Sequence, residues 1–230
     1  FYNSDGSLGE MCGNGARCVC RYACERGYAD GTVRVETTAG LVTGWRQGRD
    51  RFRIRLNTPT VLETERLLTL DGEMYRCGYA ELGNPGIPHL TVEIPDLLLR
   101  IDDEEALGAL RMLGRKLRYH PALPKGANVN FYQVTGPQHL RQLTYERGVE
   151  DFTLACGTGA GSLAAVLTAS GRMDGANVQV QTAGGDLDVE VEMEAGRVEN
   201  LYLTGAALIV YSGELAEEFL QPVVIEDIMD

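Results

Sequence analysis

Met11-Cys12-Gly13-Asn14-Gly15-Ala16-Arg17 and Ala155-Cys156-Gly157-Thr158-Gly159-Ala160-Gly161 are the two runs that decide the fold of this 230-residue chain. Each is a cysteine, a glycine-rich turn and the opening of a stretch that reads as a helix. The two cysteines stand 144 residues apart, and so do Thr38 and Thr182, Ala39 and Ala183, and Gly40 and Gly184. A constant spacing with the same order of parts predicts an internal duplication of Cys-Gly turn, helix, strand and turn. Two copies related by a pseudo-twofold axis would set their helix starts face to face, one thiol on each side of a shared cleft.

Glycine lets the backbone come close to a ligand, and the first N–H groups of a helix have no partner inside it, so each turn can bind an anion such as a carboxylate. A cysteine at a helix N-terminus also feels the positive end of the dipole, which is expected to lower its pKa from ~8.5 toward neutrality. Inverting an amino-acid α-carbon needs a base on one face and an acid on the other. Two opposed thiols supply both, and N–H groups from the two turns can stabilise the charge that grows on the carboxylate. No electron-sink cofactor is obligatory in such a scheme.

Outward from these runs, Gly13 to Arg26 reads as one helix, followed by short strands at Thr32–Glu36, Leu41–Arg46 and Arg51–Leu56. Asn57-Thr58-Pro59 breaks the pattern and marks a domain boundary. Strands are expected again at Met74–Glu81 and Leu90–Ile94, then a helix from Asp103 to Arg118 with Leu107, Leu110, Leu113 and Leu117 on one packing face. Asn128–Val134 and Leu140–Glu146 resume the strands. The helix after Cys156 is small and apolar throughout, which suits enclosure by a curved sheet. Val178–Thr182, Leu187–Val191, Val198–Leu203 and Ala207–Tyr211 read as the closing strands, and Glu214–Asp230 as an acidic solvated tail or short helix.

Composition bounds the function. A net charge of −12 opposes binding to nucleic acid by phosphate neutralisation, whereas a small zwitterion fits. No apolar run approaches the ~18 residues of a membrane span. Neither glycine run has the full dinucleotide spacing, and no Lys-Ser/Thr follows for a P-loop. Cys12, Cys18, Cys20 and Cys24 include no Cys-x-x-Cys pair, and the segment from Gly13 to Arg26 reads as one helix, which argues against structural zinc, and no metal site is expected. In a chain of this size the six cysteines read as reduced thiols, with Cys18, Cys20, Cys24 and Cys77 as small core or surface residues. His120 and His139 read as exposed loop residues, and Glu146-Arg147, taken alone, as a surface ion pair.

Asn3-Ser4-Asp5-Gly6-Ser7, Glu10-Met11-Cys12-Gly13-Asn14-Gly15-Ala16-Arg17-Cys18, Tyr145-Glu146-Arg147-Gly148-Val149 and Leu154-Ala155-Cys156-Gly157-Thr158-Gly159 together resemble the diaminopimelate epimerase family. Proline racemases and phenazine-pathway isomerases resemble the same duplicated fold but usually differ at these positions. The resemblance implies Cys12 and Cys156 as the two catalytic acid/bases, and Asn3, Asn14, Asn84, Asn128, Glu146 and Arg147 as substrate contacts. It implies backbone donors at Gly13, Gly157 and Thr158, and Glu146 and a histidine as groups that tune the cysteines. Family members commonly carry Gly-Asn-Pro-His; this chain reads Gly83-Asn84-Pro85-Gly86-Ile87-Pro88-His89, so the histidine is assigned to His89 across a short insertion.

By the same resemblance, the fold is α/β (α+β), two similar domains each a curved mixed sheet around a central helix, with the active site between them. One would hold residues 1–58 and 206–230, the other 59–205. Family members place a much longer segment before the first cysteine, so strands and substrate-binding groups are expected ahead of Phe1, and the site as written is expected to be incomplete. The expected activity is cofactor-independent conversion of LL- to meso-diaminopimelate for lysine and cell-wall synthesis, in a bacterial-type cytoplasm or a plastid. A homodimer is compatible, and the residues alone do not decide it. A racemase of another amino acid on the same fold, and a non-catalytic small-ligand binding protein, are the alternatives; the second would be expected to lack one of the cysteines.

Overall fold

The computed structural model describes residues 2, 6, 11–38, 40–214 and 216. Its elements, in order, are α1 (Gly13–Glu25), β1 (Thr32–Thr37), β2 (Gly40–Arg46), β3 (Arg51–Leu56), β4 (Pro59–Leu70), β5 (Glu73–Leu82), β6 (Ile87–Glu93), α2 (Leu97–Ile101), α3 (Glu104–Arg118), β7 (Asn128–Gly136), β8 (His139–Glu146), β9 (Asp151–Thr153), α4 (Gly157–Ala169), β10 (Val178–Thr182), β11 (Gly185–Glu194) and β12 (Arg197–Ala206). The result is a mixed α+β fold dominated by one continuous sheet, ordered β1-β2-β3-β12-β11-β10-β8-β7-β6-β5-β4, with β9 alongside β8.

The duplication is visible in that order. Replacing β1, β2 and β3 by β10, β11 and β12 reads the six strands from β1 to β10 backwards, as a twofold axis between β3 and β12 requires. Leu56 and Leu201 lie directly opposite each other across that pair. The spacing there is 145, not 144, and the hairpins agree: Thr37 pairs with Gly40 and Thr182 with Gly185. In each hairpin the threonine hydroxyl donates to that glycine's carbonyl at 2.7 Å. The equivalent of Thr182 is therefore Thr37, not the Thr38 that constant spacing suggests. One extra residue between helix and hairpin in the second copy accounts for the slip.

Each copy wraps its sheet around a helix. α1 packs on β1, β2, β3 and β12, while α4 lies against β4, β5, β6, β7, β11 and β12. Everything from Gly159 to Leu167 is buried, so α4 is apolar on every side because sheet surrounds it. A separate apolar layer joins β5–β8 to α2 and α3 through Leu110, Leu117, Val129, Phe131 and Tyr145. The Asp103 side chain caps α3 by accepting from Ala106 N at 2.8 Å, and acidic residues in the first turn with basic residues in the last complement the dipole. A Cβ on Gly114 would stand 2.9 Å from Tyr145, so glycine lets α3 sit down on β8.

Three differences from the sequence expectation have physical causes. β4 is a twelve-residue strand that was not anticipated, because Glu63, Glu65 and Arg66 obscure its alternation. It lies at the sheet edge, where charge is tolerated and the Arg66 guanidinium stacks 3.8 Å from the Tyr79 ring. Ala207–Tyr211 forms no strand: β12 runs out where Ala206 faces Arg51, the first residue of β3, so the ladder has no further partner. The chain is held instead by Ala207 N donating to Asp50 O and by Arg21 donating to Ala207 O. His120 is not a bare loop residue either, since its ring nitrogens meet Thr69 O at 3.0 Å and Ala122 N at 3.1 Å. The expected tail lies almost wholly outside the described residues.

Candidate active site

Cys12 caps α1 and Cys156 caps α4 with nearly the same backbone, φ/ψ of −127°/113° and −120°/104°. Both helices then run for thirteen residues. Their first turns meet. A Cβ built on either Gly13 or Gly157 would lie 3.8 Å from the other's Cα, and the Leu203 side chain fills the space beside both. Leu203 is what favours glycine in these turns: its side chain would stand 3.3 Å from a Cβ on Gly13 and 2.7 Å from one on Gly157.

The two thiols differ in surroundings. Cys12 is half-buried, and its Sγ accepts from Gly15 N at 3.3 Å. Cys156 is buried, with Thr158 Oγ1 3.6 Å from its sulfur. Burial above all, then the charges of Glu146 and Cys12, push the Cys156 thiol up to about 12, against the opposing pull of Thr158 and of Gly159 N–H. The sequence expectation of a lowered pKa is overturned here, because desolvation of a thiolate outweighs the helix dipole at a site closed to water.

Arg17, quoted in the sequence only as part of a motif, joins the two turns. It is 6% exposed, and its guanidinium donates to Gly13 O at 3.4 Å, Asn14 Oδ1 at 2.9 Å and Ala206 O at 3.4 Å. It also lies 3.9 Å from the Cβ position of Gly157. Burial lowers its pKa, while Cys18 and Cys12 work in the opposite direction.

A second group of polar residues lies behind the α4 start. His89 on β6 is registered against Asn128 on the parallel neighbour β7. Asn128 Oδ1 accepts from Arg147 N at 2.8 Å, fixing the turn that ends β8, and Arg147 Nη1 donates to Lys125 O at 3.3 Å. His89 is fully buried, and burial together with the Arg147 charge lowers it to about 3. Asn130, Gln142 and Thr144 complete the group; they were missed in the sequence. The signal was present as polar residues two apart, Asn128 and Asn130 on β7 and Gln142 and Thr144 on β8, in strands whose buried positions are otherwise apolar.

The sequence model of the diaminopimelate epimerase family matches residues 1–58 and 83–210. The chain belongs to this family. It is 39% identical over 225 residues to the diaminopimelate epimerase of Aquifex aeolicus, covering 96% of this chain and 75% of the relative. It is 38% identical over 230 residues to that of Archaeoglobus fulgidus, covering 94% and 74%. Among solved structures it is similar to a probable proline racemase from Agrobacterium radiobacter, with a TM-score of 0.70 at 21% identity, covering 93% of this chain and 70% of that one. It is also similar to a hydroxyproline epimerase from Agrobacterium vitis, with a TM-score of 0.67 at 22% identity, covering 89% and 65%. At those identities the likeness speaks to the fold alone.

For a member of this family, the expected residues fall into three places. Cys12, Gly13, Asn14, Cys156, Gly157 and Thr158 belong to the meeting helix starts, with Glu146 close enough to act on Cys156. His89, Asn128 and Arg147 form the polar group behind α4. Asn84 is exposed on the turn between β5 and β6, and Asn3 lies outside the described residues. The hairpin of β4 with β5 coincides with the stretch, 59–82, that the family model leaves unmatched.

Proposed function

We propose that the protein is a cofactor-independent epimerase that inverts one α-carbon of diaminopimelate, interconverting the LL and meso forms, with Cys12 and Cys156 as its acid and base. The observation that carries this reading is the meeting of two cysteine-capped helix starts at Gly13 and Gly157. In this scheme the Cys12 thiolate removes the α-proton from one face and the Cys156 thiol delivers a proton to the other. The carboxylate, taking on negative charge, sits on the free N–H groups of both turns. The high pKa of Cys156 supports its assignment as the acid in the resting protein. In the reverse direction the roles exchange.

In the same reading Gly13, Gly157 and Thr158 offer backbone donors, and Asn3, Asn14, Asn84, Asn128, Glu146 and Arg147 hold the rest of the substrate. Glu146 and His89 set the proton affinities. Arg147 is suited to the distal carboxylate, since a guanidinium grips a carboxylate with two parallel hydrogen bonds. The units 1–58 with 206–230, and 59–205, would carry one cysteine each. Thiols that exchange protons must stay reduced, which supports a cytoplasmic setting, and we extend the reading to lysine biosynthesis and a homodimer, the latter checked by sedimentation.

The deciding assay is solvent-deuterium exchange into the α-position of diaminopimelate, compared with alanine, lysine and proline. Exchange into diaminopimelate alone, abolished by Cys12→Ala and by Cys156→Ala, supports the proposal. Equal exchange into lysine makes the protein a broad racemase, and undiminished epimerisation by Cys12→Ala removes the two-thiol mechanism.

A further inference from the structure

Asn130 is fully buried at the centre of the polar group behind α4. Its Oδ1 accepts from Gln142 Nε2 and from Thr144 Oγ1, both at 3.0 Å. Its Nδ2 faces Leu90 O at 3.1 Å, Asn128 O at 3.5 Å and His89 Nδ1 at 3.3 Å. Backbone carbonyls can only accept, so the atom turned toward them has to be the NH2 group, and the orientation of the amide follows without ambiguity. With an N–H pointed at it, His89 Nδ1 must carry the lone pair. The imidazole proton then stands on Nε2, a fully buried donor with no hydrogen-bond partner among the described residues.

The same amide touches the cysteine turn. A Cβ on Gly159 would fall 2.2 Å from Asn130 Oδ1 and 2.8 Å from Gln142 Nε2. Gly159 lies in the first turn of α4, three residues after Cys156, and its backbone N–H favours the Cys156 thiolate. One side chain therefore contacts both His89 and the first turn of α4.

We propose that Asn130 is a positioning residue: it holds His89 as the neutral imidazole with its proton on Nε2, and keeps that N–H ready for a carboxylate oxygen brought by the substrate. A buried donor without a partner is costly unless something arrives to accept from it. A carboxylate beside the Arg147 charge is the acceptor that this corner of the site favours. The low proton affinity of His89 agrees, since burial and Arg147 both oppose a second proton. The role in turnover rests on the epimerase reading, whereas the tautomer does not.

The test uses the full chain labelled with 15N. Two-bond 15N–1H correlation at pH 7 reports the tautomer of each imidazole, and with three histidines in the chain His89 is identified by the signal lost in His89→Gln. The native protein should show His89 protonated on Nε2 only. Asn130→Asp, nearly the same shape but unable to donate, should move the proton to Nδ1 or charge the ring. It should also lower kcat for diaminopimelate by about 100-fold, as a small misplacement of a site group does. Asn130→Ser, whose hydroxyl can give or take a hydrogen bond, should leave a mixture of tautomers. A native Nδ1–H signal, or an Asn130→Asp spectrum identical to the native one, overturns the proposal. Absence of exchange into diaminopimelate by the native protein, with the tautomer switching as described, overturns the epimerase reading and leaves the tautomer assignment standing.

Discussion

Gly13 and Gly157 face each other such that a methyl group on either would lie in van der Waals contact, 3.8 Å from the other's Cα. The contact joins equivalent positions of a duplicated unit, and so it lies near the axis that also passes between Leu56 and Leu201. Each glycine follows a cysteine, so the symmetry that brings the glycines together also brings the thiols to one place. Leu203 breaks the equivalence. It stands 3.3 Å from the Cβ position of Gly13 but 2.7 Å from that of Gly157.

Gly157→Ala should therefore be more damaging than Gly13→Ala. Leu203 is fully buried and has little room to yield, so overpacking at Gly157 should cost ~1–3 kcal/mol of stability, with a matching drop in melting temperature. Deuterium exchange should fall further in Gly157→Ala than in Gly13→Ala. Thermal melts of the two variants with the same melting temperature would show that Leu203 does not govern this contact.

Cys156 should be protonated at neutral pH and slow to alkylate. Its thiol is raised by burial first and by the Glu146 charge second, so Glu146→Gln removes the second cause without opening the site. Peptide mapping by mass spectrometry after iodoacetamide treatment at pH 8 should show several-fold faster labelling of Cys156 in Glu146→Gln than in the native protein, because reactivity follows the thiolate fraction. Equal rates in the two proteins would remove Glu146 from the account.

Much of this site was legible as sequence because a motif next to a helix start is local: the glycine turn, the cysteine cap and the helix that follows are adjacent residues. The duplication was legible for the same reason, down to one residue of slip at Thr37 and Thr182. What stayed hidden depends on contacts between distant strands. Asn130 matters through His89, 41 residues away, and through Gln142 on the next strand. β4 carries no clear sequence signal because edge position, not apolar alternation, makes it a strand. The proton affinity of Cys156 departs from the sequence expectation because the dipole is local and readable, while the burial that outweighs it comes from the whole fold.

Arg17 should prove sensitive even to lysine. One guanidinium bonds Gly13 O, Asn14 Oδ1 and Ala206 O at once, a fork that an ammonium on a flexible stem does not reproduce. Arg17→Lys keeps the charge and should still lower kcat/KM by about tenfold, through loss of order at Asn14 and the Gly13 carbonyl. Arg17→Ala should also destabilise the fold by ~3 kcal/mol, since it leaves buried acceptors unpaired. Native kcat/KM in Arg17→Lys would mean that charge alone matters at this position.

His89 should make the folded protein sensitive to acid. An unfolded histidine takes up its proton near pH 6.5, while the buried ring is held neutral down to about 3 by burial and by Arg147. Between those values the unfolded chain binds one more proton than the folded one, so stability is fully present above about pH 6.5 and falls as pH drops toward 3. Each unit of separation is worth ~1.4 kcal/mol, which puts the full effect at a few kcal/mol. Carboxylates also contribute to acid unfolding, so the measurement is a difference: urea denaturation of the native protein and of His89→Gln at pH 7, 5.5 and 4. Glutamine does not titrate, so the native protein should lose more stability than the variant over this range, with the gap opening below pH 6.5. Parallel losses in the two proteins would mean that His89 takes up its proton in the folded state as readily as in the unfolded chain, and that the buried neutral ring described for this site is wrong.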